Sequence, residues 1–191
     1  MPKIYLGFAL CVLGISTILW SSIMPVKAWV GHQLLSRSWE KSFSSGERAR
    51  PWLGADFQPV AKLTIPSLDV SRIILNSASG EAMAWSIGAL NNLADFHKST
   101  PSILAGHRDS HMAFLENIKI GDQILIQLSD GFTKTYTARN SIITDKPKIT
   151  LSPDDNERNL LVLTTCWPFK SNQKTDKRFV LIAELEQIIA S

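Results

Sequence analysis

Cysteine is scarce in this chain of 191 residues: there are two, Cys11 and Cys166. That excludes a disulfide-dense scaffold and a cysteine-based structural zinc site. Charge is also thin, with Asp, Glu, Lys and Arg making up 19% of residues against 45% hydrophobic, which argues against intrinsic disorder. The first 35 residues hold no acid and only two bases, Lys3 and Lys27. Removing those two from the 20 bases leaves 18 against 17 acids over residues 36–191. A net charge of +1 there lacks the footprint of a nucleic-acid binder. No self-similarity at a period of about 20–50 residues is visible, so a solenoid is not expected.

What is present begins with an uncharged run between Lys3 and Lys27. Ile4 to Met24 is 21 residues long, and at ~1.5 Å per residue it reaches across about one hydrocarbon core. Trp20 and Trp29 flank its far side, where indoles favour the headgroup layer. Val26-Lys27-Ala28 also suits signal-peptide cleavage, but the run exceeds an ordinary signal core. An uncleaved transmembrane anchor over 1–27 is the expectation. Residues 28–57 carry turn formers and read as a stem, partly helical within 28–43.

From 58 to 191 the pattern is of short strands divided by turn signals. Strands are expected over 60–65, 71–75, 102–105, 122–128, 132–139, 160–165 and 178–185. Asp130-Gly131 between two alternating runs marks a hairpin. Short helical stretches are expected over 81–90 and 111–118. Seven or eight strands with few helices predict a mainly β fold, a closed or nearly closed barrel.

Cys166 is the only cysteine beyond the apolar run and follows the continuous strand Leu160 to Thr165. Alone, it reads as a small buried apolar residue. Nucleophilic use of a thiol needs an acid or base nearby. His107 follows a short apolar strand and Gly106, which permits a sharp turn. His97 and His111 read as solvated, and His32 falls in the stem. Arg178 starts the next strand after an 11-residue loop, 167–177. If the two strands pair as a hairpin, Arg178 lies at the same rim as Cys166 and supplies a fixed positive charge for an oxyanion. Arg108, Arg139 and Arg158 have no comparable link to Cys166.

These residues resemble the sortase family. Leu163-Thr-Thr-Cys166, an arginine 12 positions on and an upstream Ala105-Gly-His107 are similar to its signature, with Val162 where the family has Thr. The resemblance is nearest to the class GN sortases of Gram-negative bacteria. It runs through Pro51-Trp-Leu-Gly-Ala-Asp56, Gly106 to Leu115, and Cys166-Trp-Pro-Phe169, and covers about residues 51–187. The loop His97-Lys-Ser-Thr-Pro101 departs from the family's Pro-Gly-x-x-Gly-Asn type of sequence.

The resemblance implies an eight-stranded barrel behind a transmembrane helix. It implies a membrane-bound, extracytoplasmic cysteine transpeptidase cleaving an LPxTG-like sorting signal between Thr and Gly. Cys166 is then the nucleophile, His107 the acid and base, and Arg178 the oxyanion partner. Thr165 and Ala105 become substrate contacts, although a β-branched strand filler accounts for Thr165 equally well. No cofactor and no metal are expected, since Asp145, Asp154, Asp155 and Glu157 read as a solvated loop. The partner is a substrate protein bearing the signal, the amine acceptor is unspecified, and a monomer is expected. Two alternatives stay open on the residues alone. One is another extracytoplasmic cysteine acyltransferase, although Thr164-Thr-Cys-Trp167 does not match the Ser-His-Gly-Cys of L,D-transpeptidases. The other is a non-catalytic membrane-tethered barrel.

Overall fold

A computed structural model describes residues 2–90, 101–145 and 159–190. The chain forms two compact units, Met1–Leu34 and Leu35–Ser191. The first is the greater part of helix α1 (Pro2–Ser45), which runs on through Pro25. This helix is long and apolar enough, by length and composition, to cross a membrane.

The second unit is a closed barrel of eight strands. They are β1 (Pro59–Ile65), β2 (Val70–Leu75), β3 (Ile87–Ala89), β4 (Ser102–Ala105), β5 (Gln123–Leu128), β6 (Phe132–Thr144), β7 (Leu160–Cys166) and β8 (Arg178–Ala190). The order around the barrel is β1-β2-β3-β4-β7-β8-β6-β5, and β5 closes onto β1. Pairing is antiparallel except for β2/β3 and β4/β7. The interior is apolar: Leu63, Ile65, Ile74, Leu104, Ile124, Ile126, Leu161, Leu163 and Leu181 are all fully buried in one cluster. At ~25 cal/mol per Å² this burial is the main stabilising term of the unit.

Residues 35–57, part of the expected stem, pack within this unit. Leu35 and Phe57 form a second cluster with Leu75 and Ala82, edged by Trp52 and Trp85. The Trp52 and Trp85 rings meet edge to face with centroids 4.9 Å apart, a favoured aromatic geometry.

Three expectations differ locally. Residues 81–90 are not a single helix: α2 covers only Gly80–Trp85, and β3 follows at once. The Ser79 side chain caps α2 by accepting from the Ala82 amide at 3.1 Å. Ser86 is extended, and its hydroxyl donates to the Ile73 carbonyl, turning the chain onto β2. Gly88 then passes so close to the 77–78 backbone that a Cβ there would sit 2.4 Å from the Ser77 oxygen. The helical stretch expected over 111–118 is a shorter 3-10 turn, Ala113–Glu116. The strand expected to end at 139 continues to Thr144, past register shifts at Thr135/Tyr136 and Ala138/Asn140.

Candidate active site

β7 and β8 pair in register down to Cys166↔Arg178, the last pair before the loop. Leu161 and Leu163 on β7 and Leu181 and Ala183 on β8 belong to the interior cluster, whereas Val162 and Val180 do not. Side chains alternate along a strand. Cys166 and Arg178 therefore share the outer face, at one rim of the barrel. There the Arg178 Nη1 donates to Cys166 Sγ at 3.3 Å. The same Nη1 lies 3.2 Å from the Thr175 carbonyl oxygen and 3.3 Å from that of Lys177.

His107 reaches this rim through a parallel pairing. β4 runs beside β7 in register from Ser102↔Leu161 to Ala105↔Thr164. The pairing ends there, two residues short of His107 after β4 and of Cys166 on β7. Both line one cavity of about 390 Å³, together with Arg108, Asp109 and loop residues 172–176. The His107 carbonyl accepts from the amides of Ser110 and Met112, at 3.4 and 3.0 Å, which closes the turn after β4. Gly106 is confined there, since a Cβ would come 2.9 Å from Met112 Cγ.

Of the remaining sequence candidates, Thr165 and Ala105 adjoin this centre and do not line the cavity. Thr165 is 3% exposed and its hydroxyl donates to the Gly106 carbonyl at 2.7 Å. It links the residue before Cys166 to the residue before His107. Ala105 is half-buried at the end of β4, paired to Gly88 and Thr164. Arg139 lies elsewhere, within 3.4 Å of both Glu184 and Glu186. His97, Asp154, Asp155, Glu157 and Arg158 lie outside the described residues. His111 Nε2 stands 3.3 Å from the Ala84 carbonyl oxygen rather than in the cavity. No cluster of three potential metal ligands occurs among the described residues.

The profile of the Sortase domain matches residues 63–186, about two thirds of the chain. The chain belongs to the sortase family. It is 26% identical over 119 residues to Sortase D of Bacillus subtilis (strain 168), an alignment covering 62% of this chain and 60% of that relative's length. Its fold is similar to that of the B. anthracis SrtD catalytic domain, at 26% identity and a TM-score of 0.54, covering 70% of this chain and 90% of that one. A Clostridium perfringens Sortase D5 transpeptidase is similar with a TM-score of 0.60 at 17% identity, over 83% of this chain and 99% of that one.

Around this candidate site two features escaped sequence reading. One is an aromatic base to the loop: Trp167 stacks on Phe179 with centroids 6.2 Å apart, and Phe169 lies 5.3 Å from each. The Cys166-Trp-Pro-Phe169 segment was the available signal. The other is Arg108, whose guanidinium Nη2 donates to the carbonyls of Ser171 and Gln173. Its signal was adjacency to His107. The arrangement brings a thiol and an imidazole to one cavity and sets a guanidinium against the thiol, groups suited to acyl transfer through a thioester.

Proposed function

We propose that this protein is a membrane-anchored cysteine transpeptidase. It cleaves an LPxTG-like sorting signal between Thr and Gly and transfers the acyl group to an amine. The observation that carries the reading is the 3.3 Å contact of Arg178 Nη1 with Cys166 Sγ, the thiol of a residue that lines one cavity with His107.

In this mechanism the Cys166 thiolate attacks the threonine carbonyl carbon. The carbonyl electron pair moves to oxygen, and the Arg178 guanidinium donates to the resulting oxyanion. The oxyanion collapses, the C–N bond breaks, and His107 gives its proton to the departing glycine amine. A thioester to Cys166 remains. An incoming amine attacks it and yields a proton to His107, and the thiolate leaves as the new amide forms. No cofactor takes part. Arg178 suits the oxyanion because its charge is fixed and its planar fork is held by the loop carbonyls.

The apolar part of α1 serves as a single-pass anchor with the barrel on the extracytoplasmic side. Within the family, the likeness of residues 51–56, 106–115 and 166–169 to class GN supports a periplasmic location for the barrel. The substrate is a protein carrying the signal near its C-terminus.

The test uses the full chain in detergent micelles with an internally quenched LPxTG-type peptide and hydroxylamine. Threonine hydroxamate is expected from the wild type and not from Cys166→Ala, with folding of both confirmed by circular dichroism. Equal cleavage by the two proteins overturns the role of Cys166.

A further inference from the structure

The loop 167–177 is built from two turns of one design. In the first, the Ser171 hydroxyl oxygen accepts from the Gln173 amide at 3.2 Å. In the second, the Thr175 hydroxyl oxygen accepts from the Lys177 amide at 3.1 Å. Such side-chain-to-backbone bonds are what Ser and Thr contribute to turns. Each turn presents the carbonyls of its first and third residues to one arginine. Arg108 Nη2 takes Ser171 and Gln173, the latter at 2.6 Å. Arg178 Nη1 takes Thr175 and Lys177. The loop forms one wall of the cavity over Cys166 and is strung between these two guanidinium groups.

The two arginines are not equally committed. Arg178 Nη1 carries two hydrogens and has three acceptors, one of them the thiol. Arg108 Nη2 carries two hydrogens and has two acceptors, both in the loop. Among the described residues Arg108 Nη1 is buried without a partner, a state costly for a charged group. When an oxyanion draws Arg178 away from the second turn, Arg108 still holds the first.

We propose that Arg108 is a positioning residue that fixes the 167–177 loop as the cavity wall. It sets the affinity for the acyl-donor peptide and leaves the chemical steps to Cys166, His107 and Arg178. The kinetic part of this proposal rests on the transpeptidase reading. The structural part does not, and the test separates them.

Hydrogen exchange is measured on the full chain and on Arg108→Ala and Arg108→Lys, each in a Cys11→Ser background. Alkylation of Cys166 by a bulky maleimide and peptide kinetics are read on the same samples. Exchange of amides 169–176 is expected to accelerate about tenfold in Arg108→Ala and less in Arg108→Lys, a compact point donor without the planar fork. The ladder amides of β1–β8 stay unchanged, and alkylation of Cys166 speeds up. The peptide KM rises about tenfold with kcat within about threefold. Unchanged loop exchange, or acceleration spread evenly over the barrel, overturns the proposal whether or not any peptide is cleaved. A fall in kcat at unchanged KM overturns it as well, by placing Arg108 in the chemistry. If Arg108→Ala does not fold, Arg108→Lys decides: acceleration confined to 169–176 supports the proposal, and wild-type or global exchange overturns it.

Discussion

Arg178 meets the thiol because two residues on adjacent strands fall opposite one another, and the rest of its environment follows from that pair. The 11-residue loop was readable and a hairpin across it was the stated condition; the register meets that condition by pairing Cys166 with Arg178. The place of Arg108 was not readable, because its acceptors lie 63 and 65 residues away and are backbone carbonyls, which carry no residue-type signal. Tyr136 is another property of a single residue. It is 1% exposed, and burial pushes its phenol well above the ordinary value of 10. Below pH 10 the phenol is neutral in folded and unfolded chains alike, so its contribution is fully present. Above pH 10 the unfolded chain loses the proton that the folded one keeps, and stability falls as pH rises. Buried Lys134, on the same strand, acts in the opposite sense below 10.5, since desolvation holds its ammonium down. The comparison therefore belongs above 10.5. There Tyr136→Phe is expected to lessen the pH slope of urea-unfolding stability by up to about 1.4 kcal/mol per pH unit. An unchanged slope counts against a neutral buried phenol.

At the scale of elements, the site depends on one crossover that no local pattern announces. β4 and β7 are parallel neighbours separated by more than 50 residues, and their pairing delivers His107 and Cys166 to one cavity. Chemistry nominated His107 from the sequence, but only the register explains its place. The Thr165 hydroxyl fastens this junction by donating to the Gly106 carbonyl. Thr165→Val keeps the shape and leaves a buried carbonyl without its donor. A loss of about 1–3 kcal/mol is expected, or roughly 2–4 °C in melting temperature per kcal/mol for a unit of this size. A fall in kcat accompanies it as the His107 turn shifts, and Thr165→Ser restores both. Calorimetry and single-turnover rates check this, and a Val variant with wild-type melting and rate contradicts it. Elsewhere, period-two strands and the Asp130-Gly131 turn were legible because alternation survives in them. β3 was hidden because three residues show no period and α2 adjoins it. The far half of β6 was hidden because the shift at Ala138/Asn140 breaks the alternation.

At the scale of the molecule, an apolar helical segment and a catalytic-type barrel occur in one chain. The barrel unit is near neutral in charge and encloses a single apolar interior, while the thiol, imidazole and guanidinium lie on the outer rim rather than inside it. On the proposed reading, a peptide would lie along this surface cavity and not enter the core. The central claim is that Cys166 carries the acyl group. It is tested most directly by intact-protein mass spectrometry of the full chain, quenched in acid after mixing with an LPxTG-type peptide in the absence of added amine. A mass increase equal to the peptide up to its threonine, reversible by hydroxylamine and mapped to Cys166, is the expected result. A protein that cleaves the peptide with no adduct at Cys166, or with one at another residue, would contradict it.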